Sequence, residues 1–194
     1  PDNKGKKMLS KNRIRYLTGL KKKKERDEAR QFVIEGDKMV REFLRSGTRL
    51  SFLAAKPEFI ASLKPGESSL IGEIEACSYD ELKKISTLKT PHNALAVVTF
   101  PVNDNLPGII SDELCVALDF VQDPGNLGTL LRTAAAAGVQ AVLLPPGNAD
   151  AWSPKVVRAA MGAHFRLPLR VLAWDALNDL LYGLPVYLAD SGGG

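Results

Sequence analysis

The chain is poor in the residues that build metal centres, disulfide frameworks and membrane anchors. Its 194 residues include two cysteines and two histidines. Cys77 and Cys115 lie far apart, each in or beside an apolar stretch and without a CxxC partner. Both read as core thiols held reduced in a cytosol, and no zinc site is expected. His92 and His164 lack ligand spacing, so neither takes a metal or acid–base role. No apolar run approaches the roughly 20 residues of a membrane span, and the amino terminus has no hydrophobic signal core. The expectation is a soluble, unsecreted, cytoplasmic protein with no membrane partner.

What is present is enough apolar material for packed cores, at 45% hydrophobic residues, and a lopsided charge. The net charge is +4, but the first thirty residues hold twelve Lys and Arg against four Asp and Glu. They therefore carry +8 and the remainder −4. A polyanion would be drawn to the amino-terminal end, less strongly as salt rises. Arg13, Arg15, Lys21, Lys22, Lys23 and Lys24 are the candidate contacts there, although a solvated or disordered tail is the plainer reading of residues 1–7.

Along the chain, Ser10 to Gln31 reads as helix and Phe32-Val33-Ile34 as a short strand. Asp37 can cap a helix that turns Met39, Val40, Phe43 and Leu44 inward until Gly47. Leu50 to Ala55 is a strand. Ser78-Tyr79-Asp80-Glu81 has capping-box spacing before a helix through Ile85, and Ala94 to Phe100 is a plain apolar strand. This alternation predicts a small α/β/α sandwich over residues 1–100. Periodicity vanishes in Pro101 to Gly108, where Pro, Asn, Asp and Gly dominate, which places a linker at 101–111 and a second domain at 112–194.

The second region predicts βα units and a mainly parallel sheet. Strands are expected at Leu114 to Val121, Gln140 to Leu144, His164 to Leu172 and Pro185 to Asp190, with a helix from Trp174 to Leu181. Ser153-Pro154 is a helix start, serine as cap and proline at the first helical position. The informative stretch is the first crossover, Asp123-Pro-Gly-Asn126-Leu-Gly128 leading into the Ala-rich helix Thr129 to Ala137. Its loop lies at the carboxyl end of a strand, where open α/β sheets bind ligands.

Gly125 and Gly128 permit close backbone approach, and a helix beginning there turns unpaired N–H groups and a positive dipole end toward an anion. Arg132, four residues after Gly128, would share a helical face with it. A permanently charged planar fork beside a cleared approach suits a phosphodiester or a developing oxyanion. Spacing alone leaves a turn needed only for folding equally open. The pattern departs from GxGxxG and from GxxxxGK[ST], so neither a dinucleotide fold nor a P-loop is supported.

Asp123 to Ala134 resembles the first motif of the SpoU/TrmH family of RNA ribose 2′-O-methyltransferases, in the SPOUT superfamily. Ser153 to Pro168 is similar to the family's second motif, and the two stand in the family's order. The segment from Leu9-Ser10-Lys11 through Phe32 to Gly36 and on to Leu95 to Val98 resembles the substrate-binding domain that precedes the catalytic domain in many members. The resemblance implies an amino-terminal sandwich like a kink-turn-binding ribosomal protein, followed by a SPOUT domain of trefoil-knot type. It further implies S-adenosylmethionine as methyl donor, a structured RNA, ribosomal rather than transfer RNA, as substrate, no metal, and a homodimer formed through the catalytic domain.

A ribose hydroxyl is a poor nucleophile at neutral pH, so it must be aligned with the methyl group and helped to lose its proton. Carried over by motif position, Arg132 would hold the target phosphate and assist that loss, and Asn126 would shape the loop. Lys155 and Arg158 join the candidate RNA contacts. Ala160 stands where the family often has serine and reads as a packing position, and Trp152 reads as a packing anchor. A third family motif, a Gly-Asn-Glu-type loop and a Ser-Leu-Asn segment that complete the knot and the cofactor pocket, does not occur before Gly194. A shortened SPOUT domain is therefore expected, with Leu188, Ala189 and Asp190 as cofactor neighbours on one wall. The alternatives are a non-catalytic RNA-binding protein of this fold, or a nucleotide- or sugar-phosphate-binding α/β enzyme.

Overall fold

A computed structural model describes residues 9–101 and 114–189. The expected linker at 101–111 falls, apart from Pro101, outside the described residues, as does the basic tail at 1–7. The amino-terminal half opens with two helices rather than one, α1 (Lys11–Gly19) and α2 (Lys23–Ala29). The break comes at Leu20–Lys22, just after Gly19, and Ser10 caps α1 by accepting from the Arg13 N–H. There follow β1 (Gln31–Glu35), α3 (Asp37–Arg45), β2 (Leu50–Ala55), the short α4 (Pro57–Ala61) and α5 (Pro65–Ser68), β3 (Ile74–Ala76), α6 (Tyr79–Ile85) and β4 (Ala94–Thr99). The α4, α5 and β3 elements are too short for periodicity to announce them.

The four strands form one sheet in the order β1-β4-β2-β3. The β4 strand runs antiparallel to β1 and β2, and β3 lies parallel to β2. Side chains alternate across it, as strand geometry requires. Phe32 and Ile34 of β1 face one core with Val40, Phe43 and Leu44 of α3, whereas Val33 faces a second core with Leu17, Leu82 and Ile85 from α1 and α6. This is the α/β/α sandwich the pattern predicts. The capping box at Ser78 and Glu81 is formed, and Glu81 also accepts the Leu9 N–H at 2.7 Å. Asp37 does not cap α3. Gly36, at φ +100°, is the residue before the helix, and the Asp37 carboxylate binds the backbone and side chain of Asn93 instead.

The second half contains β5 (Cys115–Ala117), α7 (Pro124–Ala136), β6 (Ala141–Leu144), α8 (Pro154–Ala159), a 3-10 turn at Ala163–Phe165, β7 (Leu169–Val171) and α9 (Trp174–Leu181). The three strands are parallel, in the order β5-β6-β7. Two strand expectations shrink. The first is confined to Cys115–Ala117, and the third begins at Leu169 because Gly162 and Phe165 turn the chain through the 3-10 segment first. The fourth is not formed over its described part. Residues 185–189 pair with no strand, and Tyr187 and Leu188 are almost fully exposed. An isolated strand leaves its backbone groups to water, so an apolar run alone does not make one.

One hydrophobic core runs through both halves. Phe32, Phe43 and Phe100 from the first meet Trp152, His164 and Phe165 from the second. The Trp152 ring centroid lies 5.0 Å from Phe32 and 4.8 Å from Phe100, so this tryptophan is the packing anchor its isolation implied. Ion pairs rim the seam. Arg26, nearly fully buried, binds Asp150; Arg158 reaches Glu35 at 3.5 Å; Arg166 reaches Glu42 at 3.1 Å. No helix among the described residues is long and apolar enough to cross a membrane.

Candidate active site

The Asp-Pro-Gly-Asn-Leu-Gly segment is the first turn of α7 rather than a loop preceding it. Asp123 is the cap, its Oδ1 accepting the Asn126 N–H at 2.8 Å, and Pro124 opens the helix. A proline there forfeits no helical hydrogen bond, because a first-turn N–H has no intrahelical partner. Neither glycine uses the left-handed region. Gly128 is instead a contact point: a Cβ at this position would lie 2.3 Å from the Ala159 Cβ and 3.0 Å from the backbone of Ala159 and Ala160. Only glycine lets α7 and α8 cross so closely. Ala160, wholly buried beside that crossing, is the packing position expected of it.

The crossing lays the two motifs side by side. Leu127 and Leu131 point into the core, which leaves Asn126 and Arg132 exposed. Arg132 does share the α8-facing side with Gly128, since its Nη1 donates to the Met161 Sδ at 3.3 Å. It has no carboxylate partner among the described residues. Met161 is held at φ +47° and Gly162 at +84°, a reversal at the end of α8 that turns the thioether toward Arg132. Ser153 caps α8 as expected, and Lys155, from its first turn, comes within 4.0 Å of Asp123.

Across the sheet's carboxyl end, Asn148 ties two loops together. Its Oδ1 accepts the Val121 N–H at 2.8 Å, and its Nδ2 donates to Leu118 at 2.6 Å and Pro145 at 2.8 Å. A half-buried amide satisfied on both ends fixes the loops after β5 and β6 relative to each other. Nothing in the local pattern of Pro145-Pro146-Gly147-Asn148 reveals this latch.

The candidate RNA contacts divide by environment. Arg15 and Lys22 are exposed. Lys23 and Lys24 lie on the α2 surface in pairs with Asp27 and Glu28. Lys21 donates to the Ser86 carbonyl at 2.8 Å. Arg13 is engaged with Glu73 and Glu75 and sits 4.3 Å over the Phe52 ring. Arg158 is tied to Glu35 and donates to Thr87 Oγ1 at 2.6 Å. Arg26, which the sequence reading passed over, lies buried at the seam because its Nη1 and Nη2 reach the Leu20 carbonyl and Asp150.

His164 is fully buried against Trp152, with Nε2 bonded to the Ala151 carbonyl at 2.6 Å, and burial pulls its pKa down to about 4. It is a neutral core residue near neutral pH. Burial pushes the Cys77 thiol up to about 12, which makes it inert. No cluster of His, Cys, Asp and Glu suited to a metal occurs among the described residues.

Two family models divide the chain at the same place as the sheets. Residues 11–96 match the MRM3-like substrate binding domain, and residues 113–191 match the SpoU rRNA methylase family. The chain belongs to the SpoU rRNA methylase family. It is 37% identical to the Xenopus tropicalis mitochondrial rRNA methyltransferase 3 over 96% of its own length and 46% of that protein. It is 35% identical to the Bacillus subtilis 23S rRNA (guanosine(2553)-2'-O)-methyltransferase RlmP over 77% of its length and 58% of that protein. An AdoMet-bound rRNA methyltransferase from Sinorhizobium meliloti superposes with a TM-score of 0.76 at 28% identity, over 91% of this chain and 68% of that one. The chain spans under half the length of the first of these relatives.

The segment expected on the cofactor side of this SpoU chain is Leu188 to Asp190. Leu188 and Ala189 are exposed on the unpaired 185–189 segment and enclose nothing, so they do not by themselves fit a cofactor; Asp190 lies outside the described residues.

Proposed function

We propose that the protein transfers a methyl group to a ribose 2′-hydroxyl of ribosomal RNA, with S-adenosylmethionine as the donor. The observation that carries the reading is the α7–α8 crossing. It brings two family motifs into contact and leaves Arg132 exposed, with a thioether as its partner in place of a carboxylate. A guanidinium without a counter-ion retains its charge for an incoming phosphate. Its role is to clamp the phosphate of the target nucleotide, to hold the ribose hydroxyl in register and to favour the alkoxide character that develops as the proton leaves. Because arginine remains protonated, it acts as an electrostatic partner and not as the base. Asn126, on the first turn of the same helix, faces solvent where the RNA strand would pass, and Lys155 adds charge beside it. Arg15, Lys22, Lys23 and Lys24 extend that footprint on the amino-terminal half. S-adenosylmethionine supplies an electrophilic methyl group when bound.

Homodimer formation through the carboxyl-terminal half belongs to the same reading. It is supported by the exposed apolar side chains Val171, Trp174, Val186 and Leu188, and light scattering of the purified protein checks it.

The test is transfer of labelled methyl from S-adenosylmethionine to ribosomal RNA by the protein as expressed from its gene, with and without Arg132→Ala. Loss of one preorganised charge contact in a transition state costs on the order of 10²-fold or more in rate. Since Arg132 is exposed, folding should be unchanged. Undiminished transfer removes the catalytic assignment, and failure of the intact protein to bind the cofactor favours RNA binding without catalysis.

A further inference from the structure

A cleft of about 510 Å³ opens at the seam between the halves, within the range of roughly 300–1,000 Å³ typical of small-molecule sites. One wall is the start of α3, with Gly36, Lys38 and Met39; the other is Arg158 and Met161 from the end of α8, and His92 closes the side. Met161 is the residue that accepts from Arg132, so the cleft begins one side chain away from the candidate catalytic arginine.

The chemistry of the lining is selective. Its three carboxylates are already satisfied. Glu35 accepts from Ser86 and Thr87 and pairs with Arg158, both Asp37 oxygens accept from Asn93, and Glu42 pairs with Arg166. The groups left over are mostly donors. Arg158 uses Nη1 on Glu35 and Thr87 and has Nη2 and Nε to offer. Lys38 is exposed, and α3 begins at a glycine with no side-chain cap on its first-turn N–H groups. Two thioethers and an imidazole supply apolar, polarisable faces. The His92 ring lies over Gly36, where an added Cβ would stand 3.4 Å from it. Flat surfaces for stacking with a donor fork at the rim match a nucleobase more closely than a phosphate, for which Met39, Met161 and three nearby carboxylates are poor company.

We propose that this cleft receives an unstacked base of the bound RNA beside the methylated ribose, with the acceptor edge of guanine, O6 and N7, on the Arg158 fork. The inference rests on the RNA-modifying reading above and adds a specificity subsite to it. It also gives the seam a purpose: the base is gripped by residues from both halves, so recognition requires them to be docked.

The chain contains three methionines, so protein labelled with ¹³C at the methionine methyls gives a simple spectrum. Signals of Met39 and Met161 are assigned by Met→Leu substitution. Titration with guanosine 5′-monophosphate should move both signals saturably, uridine 5′-monophosphate should bind roughly tenfold more weakly, the lower end of what a bidentate base contact is worth, and inorganic phosphate should move neither. Arg158→Lys keeps the charge but loses the fork and should erase the preference for guanosine. His92→Ala, which leaves the Glu35–Arg158 pair intact, should weaken both nucleotides together. Equal shifts with phosphate overturn the proposal in favour of an anion site. Indistinguishable affinities for the two nucleotides, or unmoved signals with both, also overturn it. Methyl transfer is not read in this experiment, so an enzyme that methylates RNA with unmoved methionine signals would lose only the subsite.

Discussion

The amino-terminal sheet has a large core of its own on one face and meets the shared core on the other, whereas the carboxyl-terminal sheet keeps only a small core of its own. In the first, Phe32 and Ile34 lie under α3, and Val33, Leu95 and Val97 lie under α1 and α6. In the second, Val142 and Leu144 of β6 join the core shared across the seam. On the opposite face Ala141 and Leu143 pack with Leu177 and the partly buried Cys115, Leu172, Leu180 and Leu181, while Val171 and Trp174 are exposed. The half that carries both family motifs is thus the one whose packing depends on the other. The two halves share a hydrophobic core, and the cleft at their seam is lined by both. The lesson is that the half matching a substrate-binding domain and the half carrying the motifs are coupled by packing as well as by sequence adjacency.

The sharpest way to break this comparison is Phe32→Ala. Removing a buried aromatic ring costs about 3–5 kcal/mol, and this ring touches Trp152, His164, Phe43 and Phe100. Both tryptophans, Trp152 and Trp174, lie in the second half. Denaturant unfolding followed by tryptophan fluorescence and by far-ultraviolet circular dichroism should therefore shift together. If fluorescence alone does not move, the halves do not share a core.

Next in size is the pH dependence of the seam. His164 has a folded pKa of about 4 against an ordinary 6.5. The unfolded chain therefore takes up a proton below pH 6.5 that the folded protein refuses until about pH 4. This contribution to stability is complete above pH 6.5 and is lost as pH falls through that window, about 3 kcal/mol in all. A denaturation series from pH 7 to 4 should show a steep acid limb that His164→Gln flattens, and an unchanged limb would mean that the histidine is not buried as described.

Gly128→Ala tests the other contact of the second half. Helix propensity favours alanine by roughly 1 kcal/mol, yet its Cβ would overlap Ala159. Overpacking costs typically about 1–3 kcal/mol, so the melting temperature should fall despite the better helix former; a rise would show that α7 and α8 can separate freely. The smallest effects compare the two serine caps. Ser78 takes part in a complete capping box with Glu81, whereas Ser153 accepts only a long 3.4 Å bond from Val156. Ser78→Ala should cost about 1 kcal/mol and Ser153→Ala nearer 0.5. The reverse order in chemical denaturation would contradict the contrast in closure between the halves.

Much of this fold was legible because its signals are local. Capping at Ser78 and Ser153, the proline at the head of α8, the strand at Ala94 and the helix at Trp174 each follow from a few neighbouring residues, and the structure forms them. The candidate site was legible in its two motifs, since Arg132 and Asn126 are both exposed on α7. The misread parts depend on distant partners. Gly128 read as a place for close approach, but that the approach is to Ala159 of α8 depends on the fold. The Val186 segment read as a strand by its apolar run, but no strand among the described residues pairs with 185–189. Arg13 and Arg158 read as free cations, and the carboxylates that hold them come from elsewhere in the chain: Glu73 and Glu75 for one, Glu35 for the other.

The sequence by itself determined the family, the two α/β halves, the asymmetric charge and the two motifs that hold Asn126 and Arg132, because these are written in short-range spacing and composition. Only the tertiary structure decided that Arg26 is buried, that His164 is neutral in a core, that Asn148 latches two loops, and that Met161 and Arg158 line one cleft with residues of α3. Each depends on contacts between segments up to more than a hundred residues apart, where desolvation and packing, rather than local propensity, set what a side chain can do.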